Sequence, residues 1–370
     1  MREILIVAGE ASGELHGAAL AEKLRELDPR RPLAGIGGAR MEAAGVALLE
    51  RVDNLAVMGF VEILRHVPRH WALLRVLRAR LESGRVGALV LIDYPGFNMK
   101  LAAAAHEAGV PVLYYVTPQV WAWGANRLEK LSRFVTRAAP ILPFEEKLLR
   151  DHGIDATFVG HPLLDRAGAL PDRAAARRQL GLDPDRPVLA LFPGSREQEI
   201  HRHLQDFVAV GLEMRRRIPG LQVIMSGATT VEIPASASPF PLARGASFAV
   251  LRAADAAMCK SGTTTLEAAV AGCPLVVAYR TSAWTYWLAR RLVRIPHIGL
   301  VNVVAGREVA REFVQDALEP GIVSDELERL VARDSPRRAE VVNGLAEVCA
   351  RLGTPGASER VARMALALAR

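Results

Sequence analysis

Short apolar runs alternate with longer stretches of helical periodicity along most of the chain. The runs fall at residues 4–8, 33–37, 88–93, 112–117, 141–144 and 157–160. After Pro171 the rhythm restarts, with runs at 188–192, 222–226, 256–259 and 275–279. Strands that are apolar throughout, rather than alternating, are buried on both faces, so this pattern predicts parallel sheets covered by crossover helices. Two such series predict two doubly wound α/β domains. The length agrees, since 370 residues exceed what one hydrophobic core usually serves. The boundary is expected between Pro162 and Asp185, around "HPLLDRAGALPDR". The openings of the two halves, "ILIVAGEASGE" and "VLALFPGSREQE", share one plan of strand, glycine loop and polar helix start. Ligands of open α/β sheets bind beyond the carboxyl ends of the strands, so a cleft between the domains is the expected active site.

Composition narrows the partners. Apolar residues make up 51% and charged residues 24%, which is a globular balance. A net charge of +7 favours an anionic partner: phosphates, an acidic membrane surface or nucleic acid. The arginines are interleaved with leucine and valine rather than gathered in a block, which argues against nucleic acid. Three cysteines without CxxC spacing suit a reducing cytoplasm, and the expected location is cytoplasmic. No signal-like segment opens the chain, and no run approaches the roughly 18 apolar residues of a membrane span.

The glycine loops carry the candidate chemistry. Lys260, Ser261, Gly262, Thr263, Thr264 and Thr265 follow a strand and open a helix containing Glu267. Free N–H groups at a helix start, backed by the helix dipole, attract a diphosphate, and Glu267 is placed to accept from ribose hydroxyls. A capping box, Thr264-x-x-Glu267, explains the same letters. Gly194-Ser195-Arg196 offers further amides and a guanidinium fork for phosphate oxygens, or else a tight turn with a solvated arginine. Neither a Walker loop nor GxGxxG is present, so a dinucleotide cofactor is unsupported. Asp-x-Asp at 183–185 sits in a proline turn, and the histidines lack ligand spacing, so no metal and no cofactor are expected.

In the first half, Asp93 ends an apolar strand, where a carboxylate can act as general base or simply cap the chain near Asn98. Glu10, on the "AGEASGE" loop, and His16, just beyond it, are alternative bases, and Ser12 and Gly13 of the same loop are candidates for the acceptor pocket. Asn98, Gln119, Trp121 and Gln315 are candidates for a sugar or acyl pocket, with core packing as the other fate of the tryptophan. Asn302 is a further polar candidate. From Met58 to Gly84, Phe60, Val61, Leu64, Trp71 and Leu74 are interleaved with arginines. That blend suits a surface dipping into an anionic membrane, or an ordinary amphipathic crossover helix.

Taken together, "GIGGARMEAAG", "MGFVEIL", "IDYPGFN", "YYVTPQVWAWG", "FVGHPLLD", "FPGSREQEI", "KSGTTTLEAAVAGCPLVVAYR" and "LVNVVAGREVAREFVQD" resemble the lipid-A-disaccharide synthase family. The resemblance runs in order from about residue 4 to 320. It implies a GT-B glycosyltransferase fold of two Rossmann-like domains. It also implies inverting transfer of 2,3-diacylglucosamine from UDP to the 6-hydroxyl of 2,3-diacylglucosamine 1-phosphate (lipid X), at the inner face of the cytoplasmic membrane. Residues 1–165 would take the acceptor and face the membrane, 166–345 would hold UDP, and a last helix within 346–370 would pack back on the first domain. Asp93, Arg196, Asn302 and the 261–267 loop match the family's motifs, whereas Glu14 stands where an aspartate is expected. A homodimer is possible. The alternative activity is that of another UDP-sugar enzyme of this fold, such as an N-acetylglucosamine 2-epimerase.

Overall fold

The computed structural model describes the chain except residues 53–59, 122–125, 169, 230, 283–285, 288–295 and 370, and except the side chains of 11, 60–68, 126 and 235. Two compact units form: Met1–Asp165 with Gly353–Arg370, and Arg166–Leu352.

The first unit holds six strands: β1 (Glu3–Ala8), β2 (Leu33–Gly37), β3 (Ala47–Arg51), β4 (Val86–Ile92), β5 (Val112–Tyr115) and β6 (Arg137–Ala139). They pair in parallel in the order β3-β2-β1-β4-β5-β6. The second unit holds β7 (Val188–Phe192), β8 (Gln222–Gly227), β9 (Leu242–Arg244), β10 (Ala256–Lys260), β11 (Leu275–Tyr279) and β12 (Glu312–Val314). Its parallel order, β9-β8-β7-β10-β11-β12, repeats the first with the strand numbers advanced by six. In both sheets the order of strand addition therefore reverses at the first and fourth strands, β1 and β4 in one unit, β7 and β10 in the other. That reversal is where open α/β sheets hold ligands.

The central strands are the apolar runs of the sequence. Every residue of β1, β4, β5 and β7 is buried. Fully burying each Val, Leu or Ile there contributes about 1.5–3 kcal/mol. The edge strands differ: β6, β9 and β12 have three residues each, and β3 is exposed or half-buried throughout. Edges need no continuous apolar run, which is why β3, β6, β9 and β12 were not expected.

Two expected strands do not form. In the 141–144 run, Leu142 is the N-cap and Pro143 the first residue of the helix Pro143–Arg150. Proline lacks an N–H for a ladder but suits a helix start, so the apolar run became a cap. Residues 157–160 follow a single bridge, Ala138 to Ala156, and run without ladder pairing. The boundary expected after residue 345 also moves. The helix Pro336–Arg351 is continuous, so the second unit extends to Leu352. The helix Ala357–Leu368 packs on the helix Ala11–Leu27. Its start is capped by Asp165, which accepts from the N–H groups of Gly356 at 2.6 Å and Ser358 at 3.2 Å.

Candidate active site

Loops from β7 and β10, paired from Leu189↔Ala256 to Phe192↔Cys259, emerge side by side. Gly194 follows β7 with φ of +143°, and a Cβ there would lie 2.6 Å from the Cβ of Glu199. Only glycine lets Glu199, in the first turn of the helix Glu197–Arg217, fold back beneath this loop. Its carboxylate accepts from the Ser195 N–H at 2.9 Å, from Lys260 Nζ at 2.7 Å and from Arg196 Nη1 at 3.4 Å. Burial opposes its ionisation, but the bonds from Lys260 and Ser195 outweigh burial and hold the carboxyl below its ordinary range. His203 secures the base of the loop: Nδ1 donates to the Glu199 carbonyl at 2.7 Å, and Nε2 accepts from the Arg280 N–H at 2.9 Å. Both nitrogens are thereby assigned to the neutral ring, and burial lowers its pKa.

The 261–265 loop leaves β10 beside this cradle. Ser261 Oγ donates to the Ile298 carbonyl at 2.7 Å, and Thr265 Oγ1 to the Gly262 carbonyl at 2.8 Å. These two hydroxyls are therefore engaged in shaping the loop. The capping box does not form: Thr263 is the N-cap of the helix Thr264–Ala271 and makes no side-chain cap bond. Above Gly262 lies open space, since a Cβ there would meet no atom within 4 Å. Glu267 is mostly buried, with its carboxyl raised by burial against the pull of Arg166, whose Nη1 lies 4.0 Å away.

Asn302 and Gln315 hold the fold rather than offering free groups. Asn302 is fully buried; Nδ2 donates to the Ala310 carbonyl and Glu312 Oε1, while Oδ1 accepts from the N–H groups of Val309 and Ala310. The amide of Gln315 pairs with both backbone groups of Thr281, at 2.6 and 3.0 Å.

In the first unit, β1 and β4 pair so that Ala8 lies opposite Ile92. Their loops bring Glu10 and Asp93 to the same sheet end. Among the described residues, the non-glycine positions with positive φ are Asp93 and its neighbour Tyr94 after β4, Val116 after β5 and Gln315 after β12. Such conformations cost about 1–3 kcal/mol apiece and collect at functional sites. The Asp93 carbonyl accepts from Asn98 Nδ2 at 2.7 Å and Tyr114 Oη at 2.8 Å, so the partner of Asn98 is the backbone, not the carboxylate. Gly9 lies directly under Tyr94: a Cβ there would fall 2.1 Å from Tyr94 Cδ1. Tyr94 Oη meets His70 Nε2 at 2.9 Å, and burial together with the Glu10 charge raises its pKa. His16, on the helix Ala11–Leu27, stands edge-on to Tyr115, 5.9 Å between ring centres. Ser12 is exposed and Gly13 buried. Glu14 reaches the Arg40 N–H at 2.9 Å, at the start of the helix Ala39–Ala43.

Gln119 is exposed, whereas Trp121 is half-buried against Phe144 and donates its indole N–H to Glu145. On the helix Phe60–Glu82, Leu73, Leu77 and Leu81 face the core and Leu74 packs partly against it. Trp71, 55% exposed, and Val76, 59% exposed, point outward. The side chains of Phe60, Val61 and Leu64 lie outside the described residues, as does Trp123. Among the described residues no helix is long and apolar enough to cross a membrane. The turn at 183–185 is fastened by buried Arg177, whose Nη1 donates to the carbonyls of Asp183 and Pro184.

A family model described as lipid-A-disaccharide synthetase matches residues 4–352. The chain belongs to this family. A lipid-A-disaccharide synthase of Syntrophotalea carbinolica is 42% identical, the match covering 100% of this chain and 96% of that one. The family is one of glycosyltransferases in lipid A biosynthesis, and the chain is such an enzyme. Two solved structures show the same GT-B fold. The UDP-N-acetylglucosamine 2-epimerase of Neisseria meningitidis, bound to UDP-N-acetylglucosamine, superposes with a TM-score of 0.65 at 13% identity, covering 99% of this chain and 100% of that one. The calicheamicin glycosyltransferase CalG4 gives 0.62 at 18% identity, with coverage of 99% and 98%. The epimerases share the architecture, while the sequence match selects the synthase over the epimerase alternative.

Residues that the sequence did not single out stand beside those it did. Glu199 lies four residues after Ser195, the spacing of one helical turn, and that offset was the available signal. Tyr94 and Glu145 had none.

Proposed function

We propose that the enzyme transfers 2,3-diacylglucosamine from UDP to the 6-hydroxyl of 2,3-diacylglucosamine 1-phosphate, with inversion and without a metal. The observation that carries this reading is the convergence of Lys260, Arg196 and the Ser195 N–H on a single carboxylate, an array of donors suited to a diphosphate. The fold neighbour with bound UDP-N-acetylglucosamine supports a UDP-sugar for this architecture.

The acceptor hydroxyl oxygen forms a bond to the anomeric carbon as the bond from that carbon to the diphosphate oxygen breaks. Asp93 takes the hydroxyl proton, with Glu10 at the next strand end as the alternative base. Charge builds on the departing UDP, where pre-aimed donors give their largest return. Lys260 and Arg196 supply that stabilisation, and Glu267 accepts from the ribose. The outward Trp71 and Val76, on a protein of net charge +7, favour contact with the anionic inner membrane surface that holds the acylated substrates.

The test is to mix purified enzyme with UDP-2,3-diacylglucosamine and lipid X in EDTA and to look for the disaccharide 1-phosphate by mass spectrometry. Product formed in chelator is expected. Product from an unacylated acceptor alone, or only after Mg²⁺ is restored, would sink the reading.

A further inference from the structure

Glu199 is the unexpected member of the cradle. Three cationic or N–H donors suited to a diphosphate all point at its carboxylate: the Ser195 N–H, Lys260 Nζ and Arg196 Nη1. An anion therefore already occupies the position a phosphate would claim. We propose that Glu199 is an internal stand-in for the donor diphosphate, surrendering Lys260, Arg196 and the Ser195 N–H as UDP-sugar binds and reclaiming them as UDP leaves. The proposal rests on the UDP reading of this cradle.

The physical case is one of exchange. With no carboxylate present, two positive side chains and an oriented amide would bind the product's diphosphate as firmly as the substrate's. A resident carboxylate competes with both equally, so it lowers affinity uniformly and speeds release of the product. It also keeps the donors aimed while the site is empty, which spares reorganisation when the ligand arrives. Its own backbone stays fixed by His203, so only the side chain has to swing.

A purely structural role predicts the opposite outcome. If Glu199 merely braces Lys260 and the 194–196 loop, removing its charge must loosen the cradle and weaken UDP.

The experiment measures UDP and uridine binding by calorimetry to the full-length protein, its Glu199→Gln variant and its Glu199→Asp variant. Glu199→Gln is expected to bind UDP about 3–10-fold more tightly, the equivalent of releasing one partly screened ion pair. Glu199→Asp, with its charge on a stem one carbon shorter, should fall between the two. Uridine, which has no phosphate, should bind all three alike. In turnover, Glu199→Gln should show a lower KM for the UDP-sugar and stronger inhibition by UDP, with kcat unchanged or reduced. Unchanged or weaker UDP binding by a folded Glu199→Gln overturns the stand-in, and if that variant does not fold, Glu199→Asp binding UDP no better than the parent does the same. If the parent protein takes up no UDP at all, the underlying reading of the site fails instead.

Discussion

The indole N–H of Trp121 donates to Oε1 of Glu145 across 3.0 Å, while Oε2 of the same carboxyl accepts the Leu142 backbone N–H at 3.2 Å. One buried acid thus ties the loop after β5 to the first turn of the helix Pro143–Arg150. Both Trp121 and Gln119 take their positions from that loop.

Burial pushes the Glu145 carboxyl up to about 7, against the pull of the Trp121 and Leu142 hydrogen bonds. The folded protein therefore holds this proton more tightly than the unfolded chain, whose value is near 4.5. The stabilisation is complete below about pH 4.5 and is lost as pH rises through about 7. Between pH 5 and pH 8 the protein should lose up to about 3 kcal/mol from this group. Glu145→Gln cannot accept both N–H groups, so it should begin less stable at pH 5. It should then lack this component of the decline. Urea unfolding at several pH values reads the two slopes, and parallel slopes would exclude Glu145 as their source.

Asn302→Ala should act on stability more than on UDP. The substitution strands the Val309 and Ala310 N–H groups and the Ala310 carbonyl around a buried gap. The cost should be about 2–4 kcal/mol, from unsatisfied buried polar groups. Denaturant unfolding of the variant, set against its UDP affinity measured well below the transition, separates the two effects. A large loss of affinity with unchanged stability would restore Asn302 as a ligand contact.

Gly9→Ala probes the seat of Tyr94. The added methyl would overlap the ring at 2.1 Å, so Tyr94 or the loop after β1 has to move. Overpacking of this kind costs about 1–3 kcal/mol. Because Glu10 and Asp93 share that seat, transfer activity should fall by more than the stability loss explains. A variant with normal kcat/KM and an unchanged melting temperature would show that the contact yields freely.

How much was visible beforehand depended on the kind of signal. The strands at the centre of each sheet announce themselves because both faces are buried, and the glycine loops follow them directly. Edge strands such as β3 and β12 are short and partly solvated, so their polarity resembles that of loops. The 141–144 run misled because a helix cap also uses apolar residues, and Pro143 was the letter that decided it. Motif matching found Asn302 but not its role, since an amide bonded only to its own fold carries the same letter as one that meets a ligand. Glu145 was invisible for a different reason: its character comes from burial and from Trp121 and Thr117 in the loop after β5, which only folding brings to it.

Asp93 offers the sharpest test of the chemistry. Its φ of +48° and the two bonds to its carbonyl, from Asn98 and Tyr114, set the direction in which the carboxylate leaves the backbone. Asp93→Asn keeps shape and hydrogen bonding but cannot accept the hydroxyl proton, so kcat should fall about 10²–10⁴-fold. UDP affinity should stay within about twofold, because Ser195, Arg196 and Lys260, the groups proposed to hold the diphosphate, lie in the other unit. Glu10→Gln run alongside separates the two acids, and the true base is the one whose amide variant loses turnover without losing UDP. Tyr114→Phe should give a smaller loss, since it removes one of the two bonds to the Asp93 carbonyl and leaves the carboxylate itself in place. Near-normal turnover in Asp93→Asn, with Glu10→Gln inactive, would move the proton acceptor to the neighbouring strand end.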